Sequence, residues 1–437
     1  MEKCVDLKIS PNGRCIVKKD GSPFFWLGDT AWELFHRLNK EEAVEYLTTR
    51  ASQKFTVIQA VALSEFDGLT VPNAYGRTPL LKNKVGNFDP ELPDINTNSG
   101  YTYWDHMDFI IDAACSYGLY IGLLPTWGDK FNLGWGKGPV IFTTDNAYVY
   151  GKWIGERYKN RDNIIWIMGG DRPLENDTHK LIVRNIATGI KEVTGGRQLM
   201  TFHPTGFRSS SENLHDESWL DFNMIQSGHG GVNIKNYEFI QKDRLLDPVK
   251  PTLDGEPRYE DHPVNFNAQN GYFDDYDVRV AAYWATLSGA LGHTYGHHEI
   301  WSFTTEKKDY YPMHWREAIH RPGAEQMKYV KELLMSRNFL ELTPYQKLLS
   351  ENYEGANYMS AARGQKYAFI YIPNGLDVKV NMGILPGDYI TAFWYDPRNG
   401  GYTFANAVKN EGVVTFNPPS SGRNNDWVLL LDSLESL

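Results

Sequence analysis

Two acidic residues follow strand-like apolar runs at positions where they could do chemistry. Asp171 follows the apolar part of NIIWIMGGDRP (163–173), and Glu256 lies in KPTLDGEPRYE (250–260) just before a proline at which the strand must stop. Two carboxyl groups that project into one cleft can protonate a leaving oxygen and attack an anomeric carbon or activate water. The sequence therefore nominates Asp171 and Glu256 as the pair that would hydrolyse a glycosidic bond.

Each acid has a structural alternative. The sequence GDRP places Asp171 where an N-terminal helix cap would stand, and Glu256 is close enough along the chain to pair with Arg258. Retention of configuration requires carboxyl groups about 5–5.5 Å apart, and inversion about 6.5–9.5 Å. The sequence leaves this separation open.

The elements that must position these acids repeat along the chain. From Phe24 to Arg337, apolar runs alternate with amphipathic stretches such as NKEEAVEYLTTRASQ. The runs are PFFWLGDT, FTVIQAVAL, LYIGLLPTWGD, NIIWIMGGDRP, RQLMTFHPTG, LDFNMIQSGHG, KPTLDGEPRYE and SGALGHTYGHHEIW. Eight such units predict an α/β fold, a (β/α)8 barrel whose site lies at the carboxyl ends of the strands. An open doubly wound sheet would need a Gly-rich phosphate turn after its first strand, and WLGDTAW is not one.

The pattern changes between Leu342 and Tyr345. Short alternating strands with frequent Pro, Gly and Asn turns follow, which predicts a small all-β antiparallel sandwich. We therefore expect a barrel with short N-terminal strands over 1–342 and a sandwich over 343–437. The sandwich is expected to buttress the barrel.

Further polar residues stand at the predicted strand ends. The acids are Asp29, Asp129, Asp254 and Glu260, and strand alternation would put Thr252, Asp254 and Glu256 on one side. The histidines are His203, His229, His293, His297 and His298. HTYGHHE could suggest a metal site, but it is not an H-E-x-x-H motif, so we predict no metal and no cofactor. Imidazoles that bind sugar hydroxyls or orient the carboxylates are the simpler interpretation.

Aromatic residues are abundant, at 14% of the chain, with 13 Trp and 26 Tyr. Near the predicted strand ends they could pack against the apolar faces of sugars, although packing in the core is the ordinary role of any one of them. Trp127, Tyr295 and Trp301 are the candidates for a sugar platform, with Trp32 and Trp135 nearby. Trp166 lies inside a strand and is expected in the core.

Charge and composition exclude several functions. The net charge of −10 and the lack of a basic patch argue against nucleic acid, and no apolar run approaches 18 residues, so no membrane span is expected. Cys4 and Cys15 could meet across an early hairpin and Cys115 lies in a predicted helix, but free thiols are the favoured interpretation. The start MEKCVDLKIS does not read as a secretion leader, so the protein is either cytoplasmic or has had a leader removed.

Four motifs together resemble one family. FFWLGDTAWELF, GGDRP, LDGEPRYE and GHTYGHHEIW, in this order, are similar to the apiosidase-like glycoside hydrolases, a branch of the clan whose barrels carry the acid on strand four and the nucleophile on strand seven. LPGDYITAFWYDPRNGGY is similar to the small domain, labelled collagen-binding, that accompanies that barrel. The wider clan usually has Asn-Glu where Gly170-Asp171 stands here, and the apiosidase-like branch has Gly-Asp.

The resemblance implies roles for particular residues. It makes Asp171 the general acid/base and Glu256 the nucleophile of a retaining enzyme. It also implies substrate contacts for Asp29, Trp32, His203 and the HTYGHH residues His293, Tyr295, His297 and His298. The branch's known activity is the release of apiose from side chains of a complex pectin.

Two functions of different classes follow as expectations. The first is a retaining glycoside hydrolase that acts on pectic oligo- or polysaccharides of the plant cell wall, in a periplasmic or secreted setting. The second is a carbohydrate- or matrix-binding protein whose barrel is catalytically silent, which the aromatic content and the small sandwich would suit. Release of a product from pectin fragments separates them.

Overall fold

The computed structural model of the protein describes residues 4–96, 98 and 100–434, so the outer ends of the two predicted domains, 1–3 and 435–437, lie outside the described residues. The strands of the first three quarters are β1 (Leu7–Ile9), β2 (Ile16–Lys18), β3 (Pro23–Phe24), β4 (Trp26–Thr30), β5 (Val57–Val61), β6 (Leu80–Lys82), β7 (Phe88–Pro93), β8 (Tyr120–Leu124), β9 (Ile164–Gly169), β10 (Met200–His203), β11 (Arg208–Ser209), β12 (Asn223–Gln226), β13 (Thr252–Asp254) and β14 (Gly292–Tyr295). The α-helices are α1 (Leu34–Arg37), α2 (Lys40–Ser52), α3 (Tyr103–Ser116), α4 (Thr144–Tyr158), α5 (Asp177–Thr194), α6 (Ser211–Leu214), α7 (Asn236–Asp243), α8 (Asp275–Leu287), α9 (Trp315–Ala318) and α10 (Pro322–Met335).

Eight parallel strands carry the site. Their order is β10-β9-β8-β5-β4-β14-β13-β12, and β11 adds an antiparallel edge next to β12. Each of the eight predicted runs contains one of these parallel strands, so the predicted alternation of strand and helix is confirmed. β10 and β12 form no ladder in the described chain. They approach through the Asp221 N–H, which donates to the Met200 carbonyl at 2.8 Å, and the Thr201 hydroxyl, which donates to the Phe222 carbonyl at 2.7 Å. Complete barrel closure therefore stays a prediction.

The crossover helices begin at strong local signals. α2, α3, α4 and α8 each start with a capping box, in which the cap side chain and the third helical residue exchange hydrogen bonds with the backbone. For example, Asp274 accepts from the Asp277 N–H while the Asp277 carboxylate accepts from the Asp274 N–H. These caps satisfy backbone donors that would otherwise lack partners, which is why the helices begin where they do.

The C-terminal segment is an all-antiparallel β domain, as predicted. Its strands are β15 (Thr343–Pro344), β16 (Ser360–Arg363), β17 (Tyr367–Ile372), β18 (Val378–Asn381), β19 (Tyr389–Tyr395), β20 (Tyr402–Lys409), β21 (Val413–Phe416) and β22 (Trp427–Leu434). Six form a sheet in the order β15-β16-β17-β22-β19-β20, and β18 pairs with β21. Alternate side chains of this sheet, such as Ile370, Ala392 and Leu429, share one buried cluster.

A buried ion pair joins the small domain to α8. Arg279 and Asp426 have fully buried side chains, and their nearest charged atoms are 2.9 Å apart. Arg279 also donates to Asp275 at 2.6 Å. Beside it, the rings of Tyr283 and Tyr371 stack with centroids 4.6 Å apart. The interface therefore combines aromatic packing with a buried ion pair to which each domain contributes one charged side chain.

Removing this arginine should destabilise the protein strongly. Arg279→Met leaves two carboxylates without their cation, so we expect the free energy of unfolding to fall by about 3–5 kcal/mol. Lys379→Gln is the control, because Lys379 of β18 pairs with Glu351 with both side chains about half exposed, and such surface pairs contribute little to stability. Denaturant titration measures both, and equal losses would contradict the expectation.

The cysteines are free thiols. Cys4 does not pair with Cys15 across the hairpin. Its Sγ lies 3.6 Å from the Leu119 carbonyl, beside the end of α3, which contains Cys115 as predicted. Among the helices in the described part of the chain, none has both the length and the apolar character needed to cross a membrane.

Candidate active site

Two glycines form the sharp turn that presents Asp171. Gly169 and Gly170 have φ values of +87° and +120°, and Asp171 follows at +50°. A Cβ on Gly169 would lie 2.5 Å from the Phe202 ring, and one on Gly170 would lie 2.8 Å from the Trp127 ring. Only glycine fits both the backbone and the space. The turn therefore brings the acid out of the buried strand β9 at its carboxyl end.

Asp171 is not a helix cap. α5 begins at Asp177, and its cap is Asn176, whose side chain accepts from the His179 N–H. The Asp171 carboxylate instead receives the Trp135 indole N–H at 3.3 Å and the Arg172 guanidinium at 3.1 Å. Burial and the negative charge of Glu256 raise the pKa of Asp171 to about 6, against the opposing effect of Arg172. A carboxyl group in this environment can hold a proton near neutral pH.

Glu256 lies two residues beyond the end of β13 and faces two histidines. Its Oε2 is 2.9 Å from His203 Nε2, and its Oε1 is 3.3 Å from His229 Nε2. Burial alone would raise the pKa of Glu256, but these two imidazoles outweigh burial and leave it lowered. Arg258 does not pair with Glu256, since its guanidinium donates to the backbone carbonyls of Asp277 and Val232. Glu256 is therefore held as an anion.

The expected alternation of Thr252, Asp254 and Glu256 is wrong at its last member. Asp254 accepts from the Ser227 hydroxyl at 2.8 Å and from Asn236 of α7 at 2.9 Å, which places it on the helix side of the sheet. The strand ends at Asp254, so the period of two no longer applies, and Glu256 lines the cavity instead.

His203 connects the two acids. The Asp171 backbone N–H donates to His203 Nδ1 at 3.3 Å, so in the neutral imidazole the proton is on Nε2, the nitrogen that faces Glu256. The His203 ring also packs edge-on against Trp32 with centroids 5.3 Å apart. One fully buried side chain thus fixes the backbone of one acid and the carboxylate of the other.

Both acids line one cavity of about 600 Å³ at the carboxyl ends of the strands. Seven of the residues predicted from the sequence line it: Trp32, Trp127, Asp171, His229, Glu256, His298 and Trp301. His203 stands directly behind Glu256 and Trp32. The structure therefore brings together most of the candidates, which come from six different strand ends.

Four predicted substrate contacts lie elsewhere. Asp29 is fully buried and accepts from Tyr46 and Arg50 of α2, each at 2.5 Å. Tyr295 belongs to the core between strands and helices, where its hydroxyl donates to Glu260 at 2.6 Å, so it is not a sugar platform. His293, two residues earlier on β14, shares that side and is fully buried. These side chains alternate outward from the sheet, away from the cavity.

His297 is the fourth. Its Nε2 lies 3.1 Å from Asp261 and its Nδ1 lies 3.1 Å from Glu299. Burial opposes the charged imidazole, but the two carboxylates prevail and raise the pKa of His297 to about 9. His297 therefore contacts the protein's own acids and not the cavity.

The remaining strand-end acids are also satisfied by the protein. Asp129 lies 2.7 Å from the Lys130 ammonium, and Glu260 accepts from the Gly323 N–H as well as from Tyr295. Like Asp29 and Asp254, they are fully buried. Neither lines the cavity, so of all the strand-end acids considered from the sequence only Asp171 and Glu256 reach it.

Several lining residues were not assigned a role from the sequence. They include Glu65, Phe66, Trp135, Arg172, Phe207, Tyr259, His262, Phe266, Tyr310 and Tyr311. Trp135 is 61% exposed and Phe266 is equally so, which puts aromatic faces at the mouth of the cavity. Of these residues, Arg172 could have been predicted from the sequence, because it is next to Asp171. The others lie on long loops whose paths the strand pattern does not specify.

His229, His262 and His298 form a contiguous ring cluster in the wall of the cavity. His262 stacks on His229 with centroids 4.3 Å apart and meets His298 edge-on at 4.6 Å. Burial lowers the pKa of His262 to about 2 and that of His298 to about 3, so both are neutral. In the part of the chain that the structure describes, no group of three or more His, Cys, Asp or Glu is arranged to hold a metal ion.

Comparison with known families agrees with this geometry. Residues 10–341 match the family model described as "Apiosidase-like, catalytic domain". The chain belongs to the apiosidase-like family of glycoside hydrolases. Residues 343–432 of this apiosidase-like chain match a second model, "Putative collagen-binding domain of a collagenase".

Solved structures agree. A protein described as a glycoside hydrolase is 34% identical, with a TM-score of 0.88, over 98% of this chain and 97% of its own. A glycoside hydrolase family 5 protein from Bacteroides vulgatus ATCC 8482 is 32% identical, with a TM-score of 0.89, over 98% and 94%. An endo-1,4-β-mannanase from Rhizomucor miehei, at 13% identity and a TM-score of 0.52, covers 76% of this chain and all of its own, and shares the fold alone. No curated protein matches the chain.

The apiosidase-like chain is therefore a glycoside hydrolase whose barrel-like sheet has the clan A type of fold.

Proposed function

We propose that this protein is a retaining glycosidase in which Glu256 is the nucleophile and Asp171 is the general acid/base. The observation that carries the proposal is that two carboxyl groups in one cavity have pKa values displaced in opposite directions. This pairing keeps one carboxyl protonated while the other is ionised, which the first step of the reaction requires.

In that step a Glu256 carboxylate oxygen attacks the anomeric carbon, and the bond to the leaving oxygen breaks. Asp171 gives its proton to that oxygen. In the second step Asp171 takes a proton from water, the water oxygen attacks the same carbon, and the ester to Glu256 breaks. His203 and His229 stabilise the Glu256 carboxylate in the resting site and as it leaves the sugar.

The proposed substrate is a plant cell-wall glycan of the pectic type, with apiose as the released sugar. The family description supports this choice, and the cavity supports an enzyme that accommodates a short sugar chain end. Trp135 and Phe266, exposed at the mouth, would pack against further sugar rings. An extracellular or periplasmic place of action belongs to the same proposal.

The deciding experiment is incubation with a panel of aryl glycosides and pectin fragments. We expect release of one monosaccharide, identified by mass spectrometry, whose anomeric configuration before mutarotation is that of the substrate when followed by proton NMR. Release with inverted configuration would mean that Glu256 acts as a general base and not as the nucleophile. Binding to a glycan array with no product from any substrate would favour the catalytically silent binding protein.

The pH dependence of kcat/KM follows from the protonation of Asp171. Asp171 must be protonated in the free enzyme, so kcat/KM should fall about tenfold per pH unit as pH rises past about 6, the pKa of this group. Glu256 has a lowered pKa and therefore stays ionised through the acidic range. A stopped assay in a constant-ionic-strength buffer series from pH 4 to pH 9 measures the profile. A value of kcat/KM that stays level up to pH 9 would contradict the assignment.

A further inference from the structure

Among the described residues, Glu65 is the one strand-end acid in the cavity whose carboxyl group has no partner. It follows β5 on the loop that begins at Ala62 and lines the cavity together with Asp171 and Glu256. Among the described residues, no hydrogen bond or ion pair involves its carboxyl group, which is half-buried. Its carboxyl oxygens are accessible from the cavity, so a ligand that displaces water from them must replace the hydrogen bonds that the water made.

Its neighbours explain why the protein does not use Glu65 for an ion pair. Glu33 forms its own pair with His36 at 2.7 Å, and Asp129 is bound by Lys130. Arg172 is directed to Asp171, with its guanidinium over the Trp135 ring at 4.5 Å. The nearby cations are thus already engaged, and the nearby anions repel a further negative charge.

These surroundings disfavour the ionised form of Glu65. Burial raises the pKa of Glu65 well above its usual range, and the negative charges of Glu33, Asp171 and Asp129 raise it further against the effect of Arg172. Lys130 and Tyr311 are the other titratable groups that interact with it. A neutral carboxylic acid has one donor and one strong acceptor side by side.

We propose that Glu65 binds the sugar ring held between Asp171 and Glu256, through paired hydrogen bonds to two neighbouring hydroxyl groups of that ring. This inference rests on the proposed function, because it names the part of the substrate that this cavity selects. The ligand class is a terminal sugar with a vicinal diol. Each of the two carboxyl oxygens hydrogen-bonds with one of the two hydroxyls, so a ring that lacks either hydroxyl leaves a polar atom of the site unpaired.

The test compares Glu65→Leu with Glu65→Gln. Gln keeps a donor and an acceptor at the same reach, and Leu keeps the size alone. The ligand is the aryl glycoside of the panel that the protein cleaves or, if none is cleaved, the one it binds most tightly. Binding is measured by tryptophan fluorescence in a Glu256→Gln background so that the ligand survives. We expect Leu to raise Kd about 10- to 100-fold and Gln to stay within about threefold.

Matched controls separate recognition from folding. Asp67→Asn changes an acid of the same loop that pairs with Lys137 at the surface and does not line the cavity, so its Kd should equal that of the parent. Analogues of the same glycoside that lack one of these two hydroxyls should bind the parent more weakly than the full glycoside does. They should bind Glu65→Leu as tightly as the full glycoside binds that variant. If Leu prevents folding, Glu65→Asp, one methylene shorter, should raise Kd about tenfold with an unchanged melting temperature.

The possible results separate the two proposals. Cleavage by the wild-type chain decides the proposed function without reference to Glu65. A Kd for a folded Glu65→Leu variant within twofold of the parent would overturn the role of Glu65 even if hydrolysis is observed. Binding by none of the panel would overturn both.

Discussion

Replacing Glu256 with Gln should lower kcat by about 10⁴-fold or more without loss of the folded state. Gln is nearly isosteric and keeps an oxygen and a nitrogen near His203 and His229, but it cannot form the glycosyl ester. Burst and steady-state assays on the aryl glycoside that wild type cleaves measure the loss, with thermal melting as the check on folding. A variant with more than a tenth of wild-type kcat would exclude Glu256 as the nucleophile.

Glu260→Gln is the matched control for Glu256. It is a buried acid four residues further along the same segment, and its contacts are Tyr295 and the Gly323 N–H, outside the cavity. We expect a lower melting temperature and a kcat within a few-fold of wild type. In addition, Glu256→Ala with sodium azide should recover turnover, because the small anion can occupy the space of the missing carboxylate and attack the anomeric carbon.

Replacing Asp171 with Asn should produce a loss that depends on the leaving group. Without a proton donor, kcat/KM for a sugar leaving group should fall about 10³-fold or more, because general acid catalysis contributes about 10²–10⁴. A dinitrophenyl leaving group needs no proton, so its release should be nearly unaffected. The decline of kcat/KM above pH 6, which comes from deprotonation of Asp171, should also disappear. Steady-state assays of the two substrate types across pH give all three results.

Equal losses for both leaving groups would show that Asp171 acts through structure instead of proton transfer. Asp177→Asn serves as the control, because Asp177 is the exposed first residue of α5 and lies outside the cavity lining. Its kcat/KM should match that of wild type for every leaving group.

The candidate site could be predicted from the sequence to the extent that it depends on strand ends. A Gly-Gly-Asp turn after an apolar strand and an acid before proline are local patterns, and both acids line the cavity. Asp29, His293 and Tyr295 lie outside the cavity because alternation along a strand decides the side on which a residue lies, and His297, beyond the end of β14, is bound by Asp261 and Glu299. Strand-end position alone does not reveal that side.

The hydrogen-bond and ion-pair partners of each acid could not be predicted from the sequence. Glu260 and Glu65 both lie at strand ends, yet Tyr295 and Gly323 satisfy the first and no described residue satisfies the second. Contacts of this kind join residues far apart in the chain, such as His203 and Glu256. They exist only after the whole sheet has assembled.

By itself the sequence determined the order of the elements, the eight parallel strands and the change to an antiparallel domain, since these follow from local periodicity and turn residues. Local sequence patterns give no physical reason for the two acids to differ, and the tertiary structure supplies that reason. Asp171 and Glu256 are the same functional group, and burial and the neighbouring charges move their pKa values in opposite directions. Those surroundings come from loops of different strands, because a pKa responds to distance in space and not to distance along the chain.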